Sequence, residues 1–560
     1  MELILVVVGA IVLTAIAHRG GLEPALIIVL VGIGASFIPG FEAPELDSHI
    51  LLTVVLPPLL YSAALGFSFP TFVRNIRPIL GLGVGLVAVT AFAVAAISSW
   101  LVAVPLSFAT ALVLGAIVAP PDAVTAVAVG RKLGLPKRVL AILTGESLIN
   151  DAAALTLFSV AVAQVDGSHT FIDNAVLLFT YSAVVGPLVG VALGYVTLWI
   201  RNRLNSPGLE TVQGLVVPFA AYLAAEHVHA SGVLAVVAAG FVVGSGTLSD
   251  GYQTRLQERY VWNSVDVLLE AFVFAYIGLH LRFVLNDLRE AHESLMEVAV
   301  ASVIVLLVVL VIRPVWLSLM FGRSVLADHV DRTLSVPIPV EGGRGALGLR
   351  KRGKPKGKWR AMIDHSSLTW QEHVVVSWTG MRGVVTLAAA AGIPLTTAAG
   401  EPFPHRALIQ AIAFVVAVGT LLLQGWTLPP LIRRLELPSH EEADREATIQ
   451  TERIVHGAAQ GVLSGFAANP PAGLDPVVLA EITETIARHS QDADHLPDPE
   501  THTLQAEVFS RLYRKVLAAQ RASLIAERDA GRIDDEAVRA MLDRLDLQEA
   551  SVTARLESRL

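Results

Sequence analysis

Long apolar segments recur along the first 435 residues of this chain. The hydrocarbon core of a bilayer takes about 20 apolar residues per helix, and stretches near that length are the primary signal of a membrane span. Thirteen such segments cover 2–18, 22–39, 48–66, 78–102, 104–128, 137–162, 173–200, 209–227, 231–246, 261–279, 296–320, 371–394 and 406–430. The period-two alternation that is typical of a membrane barrel does not occur. The pattern therefore predicts an all-α polytopic membrane protein with about thirteen transmembrane helices.

The charged residues divide the chain into two parts. Only 16% of the 560 residues are charged and 54% are hydrophobic, whereas soluble domains hold about a quarter charged residues. Residues 1–435 carry 28 basic and 26 acidic side chains, while residues 436–560 carry 13 and 23. We therefore predict a membrane domain over 1–435 and a small helical cytoplasmic domain over 436–560. This distribution of charge gives no indication of nucleic-acid binding. The lack of cysteine excludes disulfides, thiolate metal sites and cysteine nucleophiles.

Basic residues occupy alternate loops, which predicts the orientation in the membrane. One set of loops holds Arg19, Arg74, Arg77, Arg131, Lys132, Lys137, Arg138, Arg201, Arg203, Arg255 and Arg259. The other set holds Glu42, Glu45, Asp47, Asp166, Asp173, Glu226, Asp287, Glu290, Glu293 and Glu401. The positive-inside rule then places the amino terminus outside and the carboxyl terminus in the cytoplasm. The basic run Arg350–Arg360 lies in an inner loop; setting topology explains it, and contact with anionic lipid headgroups is the second interpretation.

The fifth segment contains the string A-P-P-D-A-V, residues 119–124. Pro120 and Pro121 remove two amide donors and predict a break in the helix. Freed carbonyl groups at membrane depth are tolerated where they line a cavity or a polar interior. We therefore place Asp122 at a polar site, with a simple proline kink and an Asp122 near the inner surface as the alternative.

The sixth segment carries T-G-E-S-L-I-N-D-A near its middle. Ser147 and Asp151 are four residues apart and share one helix face, and Glu146 and Asn150 share the neighbouring face. A hydroxyl and a carboxylate stacked in this way offer the oxygen ligands that small hard cations prefer. A buried carboxyl group is also a natural proton carrier. Asp151 is therefore the predicted site at which a cation or a proton binds.

The twelfth segment contains W-T-G-M-R-G-V-V, residues 378–385. Gly380 and Gly383 flank Arg382 and predict a second break. A charge at this depth needs a buried partner, and we expect Arg382 to pair with Glu146 rather than reach the inner surface. Broken helices in corresponding halves are typical of transporters. Spans 4–6 and 11–13 are therefore predicted to form an inverted repeat whose broken helices cross near Asp151.

Three further ionisable residues have weaker interpretations. Asp266 and Glu270 are four residues apart in the tenth segment. They either form part of an inner funnel or lie at an entrance where water solvates them without a functional role. Arg313 precedes Pro314 and is expected to extend to the inner surface or to pair with one of these two carboxylates.

At these residues the chain resembles the cation:proton antiporter-1 family, the NhaP-type relatives of the animal sodium/proton exchangers. The resemblance rests on L-P-P-L-L at 56–60, P-P-D-A-V at 120–124, G-E-S-L-I-N-D-A at 145–152 and G-M-R-G at 380–383. It implies a homodimer in the cell membrane that exchanges Na⁺ for H⁺ without a cofactor. It assigns Asp151 as the ion-binding carboxylate, with Asp122 and Ser147 beside it. It makes Asn150 the neutral partner that marks electroneutral one-for-one exchange, and Glu146 with Arg382 a structural ion pair.

Two positions depart from the family pattern. The residue before the aspartate of the broken helix is often threonine, and here it is Pro121. The motif in the third segment often continues to an acidic residue, and here Ser62 stands at that position. A hydroxyl ligand and a carboxylate are thus missing, which leaves the preference among Na⁺, K⁺ and Li⁺ open.

Two alternatives to Na⁺/H⁺ exchange follow from the same residues. A K⁺/H⁺ antiporter would use the same site. An intramembrane aspartyl protease would use Asp122 and Asp151 as a dyad, although the G-x-G-D string of such proteases is absent.

Overall fold

The structure is a computed structural model that describes most of the chain. The described residues are 2–20, 23–38, 51–100, 106–122, 124–167, 172, 174–204, 206–247, 251–334, 368–437, 441–470, 480, 483–484, 486, 503–530, 532–533 and 535–557. The acidic residues Glu42, Glu45, Asp47 and Asp173 lie outside them, as does the basic run Arg350–Arg360.

The described residues are helical apart from connecting turns and one isolated bridge between Thr396 and Pro402. We number the helices α1 Glu2–Arg19, α2 Pro24–Ser36, α3 Leu56–Gly66, α4 Phe69–Arg74, α5 Ile76–Trp100, α6 Phe108–Val118, α7 Val124–Lys132, α8 Lys137–Asp166, α9 Ala175–Leu204, α10 Pro207–His227, α11 Gly232–Gly246, α12 Tyr252–Leu279, α13 Leu281–Glu290, α14 Leu295–Leu334, α15 Trp370–Trp378, α16 Val384–Ala391, α17 Arg406–Leu435, α18 Glu441–Ala468, α19 Thr503–Asp529 and α20 Asp535–Glu557. The predicted all-α fold class is confirmed.

Each of the thirteen predicted segments overlaps a helix or a pair of helices separated by a break. Within the described part of the chain, seven helices are long and apolar enough to cross a bilayer by length and composition: α5, α8, α9, α10, the stretch Tyr252–Glu290, the Leu295–Met320 part of α14, and α17. Shorter apolar helices include α1, α2, α3, α6 and α11. The total of thirteen membrane crossings and the inverted repeat remain predictions.

Chain contacts divide the protein into two units. The first comprises Met1–Ile200, Gly214–Val243 and Trp262–Pro438. The second comprises Arg201–Gln213, Gly244–Val261 and Ser439–Leu560. The carboxyl-terminal region predicted as a separate domain therefore groups with two short segments that belong to the ends of α9–α12.

Small residues bring the helices of the first unit close together. A side chain at Gly115 would overlap the backbone of Ala91, and one at Gly190 would overlap the backbone of Ala235. Close backbone approach replaces the hydrophobic driving force that is missing between helices in lipid. Two hydrophobic clusters result. One joins α5, α6, α8, α14 and α17, and the other joins α3 to α10 and α11.

The second unit has its own core and a set of ion pairs. Apolar residues of α18, α19 and α20 pack together, including Leu463, Leu512 and Leu542. The side chain of Asp546 is 1% exposed and accepts from Arg255 at 2.5 and 2.7 Å and from Arg521 at 2.9 Å. The polar first turns of α12 thus bind the last described helix of the chain.

Candidate ion-binding site

The two predicted helix breaks contact each other. α6 ends at Val118 and α7 begins at Val124, so the prolines lie in the interruption; Gly380 and Gly383 lie between the end of α15 and the start of α16. The amide of Asp122 donates to the carbonyl oxygen of Met381 at 2.6 Å. A side chain at Gly383 would overlap the carboxylate of Asp122. Gly383 therefore permits the carboxylate to lie against the amino-terminal end of α16, where helix dipoles favour negative charge.

Arg382 satisfies carbonyl groups that the breaks leave without helical partners. Its Nε donates to the oxygen of Val118 at 2.8 Å, its Nη1 donates to the oxygen of Gly380, and its backbone amide donates to Thr420 Oγ1 at 2.9 Å. Val118 is the last residue of α6, where the dipole favours a cation. A buried guanidinium thus stabilises interrupted helices that would otherwise expose unpaired acceptors.

The predicted pairing of Glu146 with Arg382 is wrong. Glu146 pairs with Arg313, whose Nη1 and Nη2 donate to the two carboxylate oxygens at 2.5 and 2.8 Å. Both side chains are 1% exposed. The remaining Nε of Arg313 donates to the oxygen of Val376 in α15 at 2.8 Å. Arg313 therefore neither reaches the inner surface nor pairs with Asp266 or Glu270, as the sequence had suggested, because the Glu146 carboxylate and a helix carbonyl use its donors.

Asn150 contacts the first break. Its Nδ2 donates to the carbonyl oxygen of Pro121 at 2.5 Å, and its side chain is fully buried. Asn150 does not line the cavity that Asp151 faces. The amide thus supplies a donor to a carbonyl group that the interruption of the helix leaves without its usual partner, and this contact is a second role besides the one that the resemblance implies.

A cavity of about 420 Å³ brings the remaining predicted site residues together. Asp122, Ser147 and Asp151 line it, and so do Asp266 and Glu270 of α12. Asp151 is 7% exposed, and its side chain forms no hydrogen bond or ion pair with any other described residue. Four carboxylates and one guanidinium, that of Arg131, are among the lining residues, so the cavity attracts cations.

The lining of the cavity also holds a contact that the sequence did not reveal. The Ser62 hydroxyl donates to Asp266 Oδ2 at 2.6 Å, and the rings of Tyr61 and Trp262 pack at 5.2 Å between centroids. Position 62, where the family often has an acid, therefore positions a carboxylate from another helix. The residues are 204 positions apart, and no local pattern signals their contact.

Sequence comparison identifies the family to which this arrangement belongs. The sequence model described as "Sodium/hydrogen exchanger, transmembrane" matches residues 4–434. The chain belongs to the sodium/hydrogen exchanger family. As a member of this family it is a multi-pass membrane transporter and not an enzyme, which removes the aspartyl-protease alternative.

Relatives of the exchanger resemble it over most of its length. An uncharacterized Na⁺/H⁺ exchanger of Mycobacterium tuberculosis is 29% identical over 99% of this chain and 96% of its own. A Na⁺/H⁺ antiporter of Aphanothece halophytica is 25% identical, with 91% and 89% covered. A solved sodium proton antiporter of Methanocaldococcus jannaschii superposes with a TM-score of 0.58 at 17% identity, over 78% of this chain and 99% of that one. The structural likeness supports the exchanger fold.

Proposed function

We propose that this exchanger moves one Na⁺ against one H⁺ by alternating access, with Asp151 binding either ion but never both. The observation that carries the proposal is the Asp151 carboxylate, which is buried, is unpaired among the described residues and lines a cavity that residues of both helix breaks also line. An ionised carboxylate without a partner is expensive to bury. A cation or a proton removes that cost, so the loaded states are favoured over the empty one.

Ser147 and Asp122 complete the oxygen set around this carboxylate. Ser147 lies one helical turn before Asp151 on the same helix face, and Asp122 lies on the segment between α6 and α7. Both residues line the cavity together with Asp151. Oxygen ligands suit a hard monovalent cation as they suit other hard cations. Movement of the crossed segments would carry either bound ion from one side of the membrane to the other.

One-for-one exchange is supported by the two neighbours of Asp151 on α8 whose charge stays the same during transport. Glu146 is neutralised by Arg313, and Asn150 is an amide that holds Pro121. Asp166, the last residue of α8, accepts from the backbone amide of Ala398, so Asp151 is the carboxylate in the middle of α8 that is free to exchange its ion. Because one positive charge enters as one leaves, an imposed membrane potential should not drive Na⁺ flux.

Purified protein in sealed liposomes with a pH dye inside tests this function. With an acidic interior, external Na⁺ should collapse the pH gradient, and Na⁺, K⁺ and Li⁺ supplied separately distinguish a Na⁺/H⁺ from a K⁺/H⁺ antiporter. Asp151→Asn should abolish collapse by every cation while the protein still folds, because a neutral amide is cheaper to bury than a carboxylate. Glu297→Gln, which neutralises an exposed carboxylate at the start of α14, is the matched control. An active Asp151→Asn protein would contradict the proposal.

We also propose a homodimer in the cell membrane with the amino terminus outside. The distribution of basic loops supports the orientation, and the family resemblance supports the dimer. Because the chain has no cysteine, single substitutions can be labelled cleanly. An impermeant maleimide on intact cells should label Glu401→Cys and spare Asn202→Cys. Subunit counting by photobleaching in liposomes should give two copies for each particle.

A further inference from the structure

We propose that Asp266, positioned by Ser62, is a second cation-binding carboxylate of the cavity and sets the apparent affinity for the transported cation. This inference rests on the proposed exchange function, because it concerns the path by which a cation reaches Asp151.

The placement of Asp266 is fixed by α3. The Ser62 hydroxyl donates to Oδ2 at 2.6 Å, and one helical turn earlier Trp262 packs against Tyr61, the residue before Ser62. Tyr61 and Trp262 belong to the hydrophobic cluster that joins α3 to α10 and α11. The carboxylate is thus held at a defined point of the cavity wall.

The second carboxylate oxygen of Asp266 has no hydrogen-bond donor among the described residues. Oδ1 is buried and makes no hydrogen bond to any described residue. A buried acceptor without a partner costs free energy, and the cost is larger for an ionised group. A cation on its way through the cavity would satisfy this oxygen, whereas the bond from Ser62 leaves it available.

The arrangement favours successive binding rather than one shared site. Asp266 and Asp151 line the same cavity, but no three His, Cys, Asp or Glu side chains within the described ranges gather as a metal-binding cluster. The carboxylates of the cavity therefore do not form one site with three such ligands. A carboxylate before the transport site raises the local cation concentration there and lowers the apparent KM, with little effect on the translocation step.

The variant Asp266→Asn tests the charge of this side chain apart from its hydrogen bond to Ser62. It can still accept the Ser62 hydroxyl through its amide oxygen but carries no charge. We expect Asp266→Asn to raise the apparent KM for Na⁺ about tenfold, with the maximal rate within about twofold of wild type, as expected when ground-state binding alone is lost. Ser62→Ala leaves the charge but frees the carboxylate and should raise the KM about threefold, and Ser62→Thr, which keeps the hydroxyl, should restore it. Glu297→Gln serves again as the charge control and should leave the KM unchanged.

The assay is the liposome pH-gradient measurement, with complete concentration series for Na⁺, K⁺ and Li⁺ at one pH. An unchanged KM for all three cations in Asp266→Asn overturns the inference, as does a fall in maximal rate with no change in KM, which would show a purely structural tie between α3 and α12. If Asp266→Asn does not fold, Ser62→Ala compared with Ser62→Thr decides by the same criterion. Loss of exchange in the wild type would refute the proposed function instead, so the two failures are distinguishable.

Discussion

Glu146 and Arg313 form a fully buried bidentate ion pair across 167 residues of sequence, and it ties α8 to α14. The third donor of Arg313 extends the tie to α15 through Val376. The pair therefore links the helix that carries Asp151 to one of the broken helices.

Removing one member of this pair should strand the other charge. Arg313→Ala or Glu146→Gln should each lower stability by about 3–5 kcal/mol, as is usual for a broken buried pair. The double variant Glu146→Gln/Arg313→Met should lose clearly less than the sum of the two. Thermal unfolding in detergent, followed by tryptophan fluorescence, measures this. An Arg313→Ala protein as stable as wild type would exclude the pairing.

Lysine at position 382 should not support the stability or the transport rate that Arg382 supports. An ammonium keeps the charge, but it lacks the planar fork that reaches the carbonyl groups of Val118 and Gly380 together. Leaving one of these buried acceptors unpaired should cost about 1–3 kcal/mol. Arg382→Lys should therefore unfold at a lower temperature and transport more slowly. Equal stability and equal rate would mean that charge alone matters at this position.

Protons and Na⁺ should compete at Asp151. In the acidic range where most sites hold a proton, the apparent KM for Na⁺ should rise about tenfold for each unit by which the pH falls, since one proton displaces one cation. The maximal rate at saturating Na⁺ should change much less over the same range. Initial rates over a matrix of pH and Na⁺ concentration test the relation. A KM that is independent of pH on the acid side would place the exchanged proton elsewhere.

A methyl group at position 383 should interfere with ion binding. Gly383→Ala would place its Cβ into the carboxylate of Asp122 and push it away from the amino-terminal end of α16. We expect transport to fall at least tenfold with little loss of folded protein, because the carboxylate can move into the cavity while the backbone remains. Gly34→Ala is the control, since an added Cβ in α2 meets no atom within 4 Å. Wild-type transport by Gly383→Ala would show that this placement of Asp122 is dispensable.

Two neighbouring aspartates of α20 should respond in opposite ways. Asp546→Asn weakens the ion pairs with Arg255 and Arg521, although Arg521 keeps its pair with Glu549, and should destabilise the second unit by about 1–3 kcal/mol. Burial raises the pKa of Asp543 although Arg259 opposes the shift, so its ionised form disfavours folding at neutral pH. Asp543→Asn should therefore not destabilise the unit at pH 7, and any gain should fade as the pH falls through the carboxyl range near 4.

Hydrogen exchange of α20 peptides in the full-length protein measures both effects. Protection should drop in Asp546→Asn and persist in Asp543→Asn. The reverse order would contradict the assignment of Arg255–Asp546 as the main tie of this helix.

Hydropathy and helix breakers predicted the elements that hold the site. Segment length located the helices, and the proline and glycine pairs located both interruptions, because these signals are local. The helix α13 was missed, since only one side of it is apolar: Val284 and Leu288 are buried, while Arg289 and Glu290 are exposed. The early start of α12 at Tyr252 was missed because its first turns are polar.

Lateral contacts between helices could not be predicted in the same way. Depth along a helix made Arg382 a plausible partner for Glu146, but depth does not say which neighbouring helix faces the carboxylate. Arg313 lies in a segment of strong hydropathy beside Pro314, and nothing in its local sequence marks the direction of its side chain. The contact of Ser62 with Asp266 has the same origin, since it depends on how two distant helices pack.

The hydrogen bond from Asn150 to Pro121 makes unequal demands on the two positions during evolution. Every amino acid has a backbone carbonyl, so position 121 can change its side chain without losing the acceptor. Position 150 must supply a donor. An ionised aspartate there would place a carboxylate oxygen, which can only accept, beside the carbonyl oxygen of residue 121. A lineage that gained a charge at 150 would first need a new donor for this carbonyl, so the path to a different ion stoichiometry runs through the backbone of the neighbouring helix.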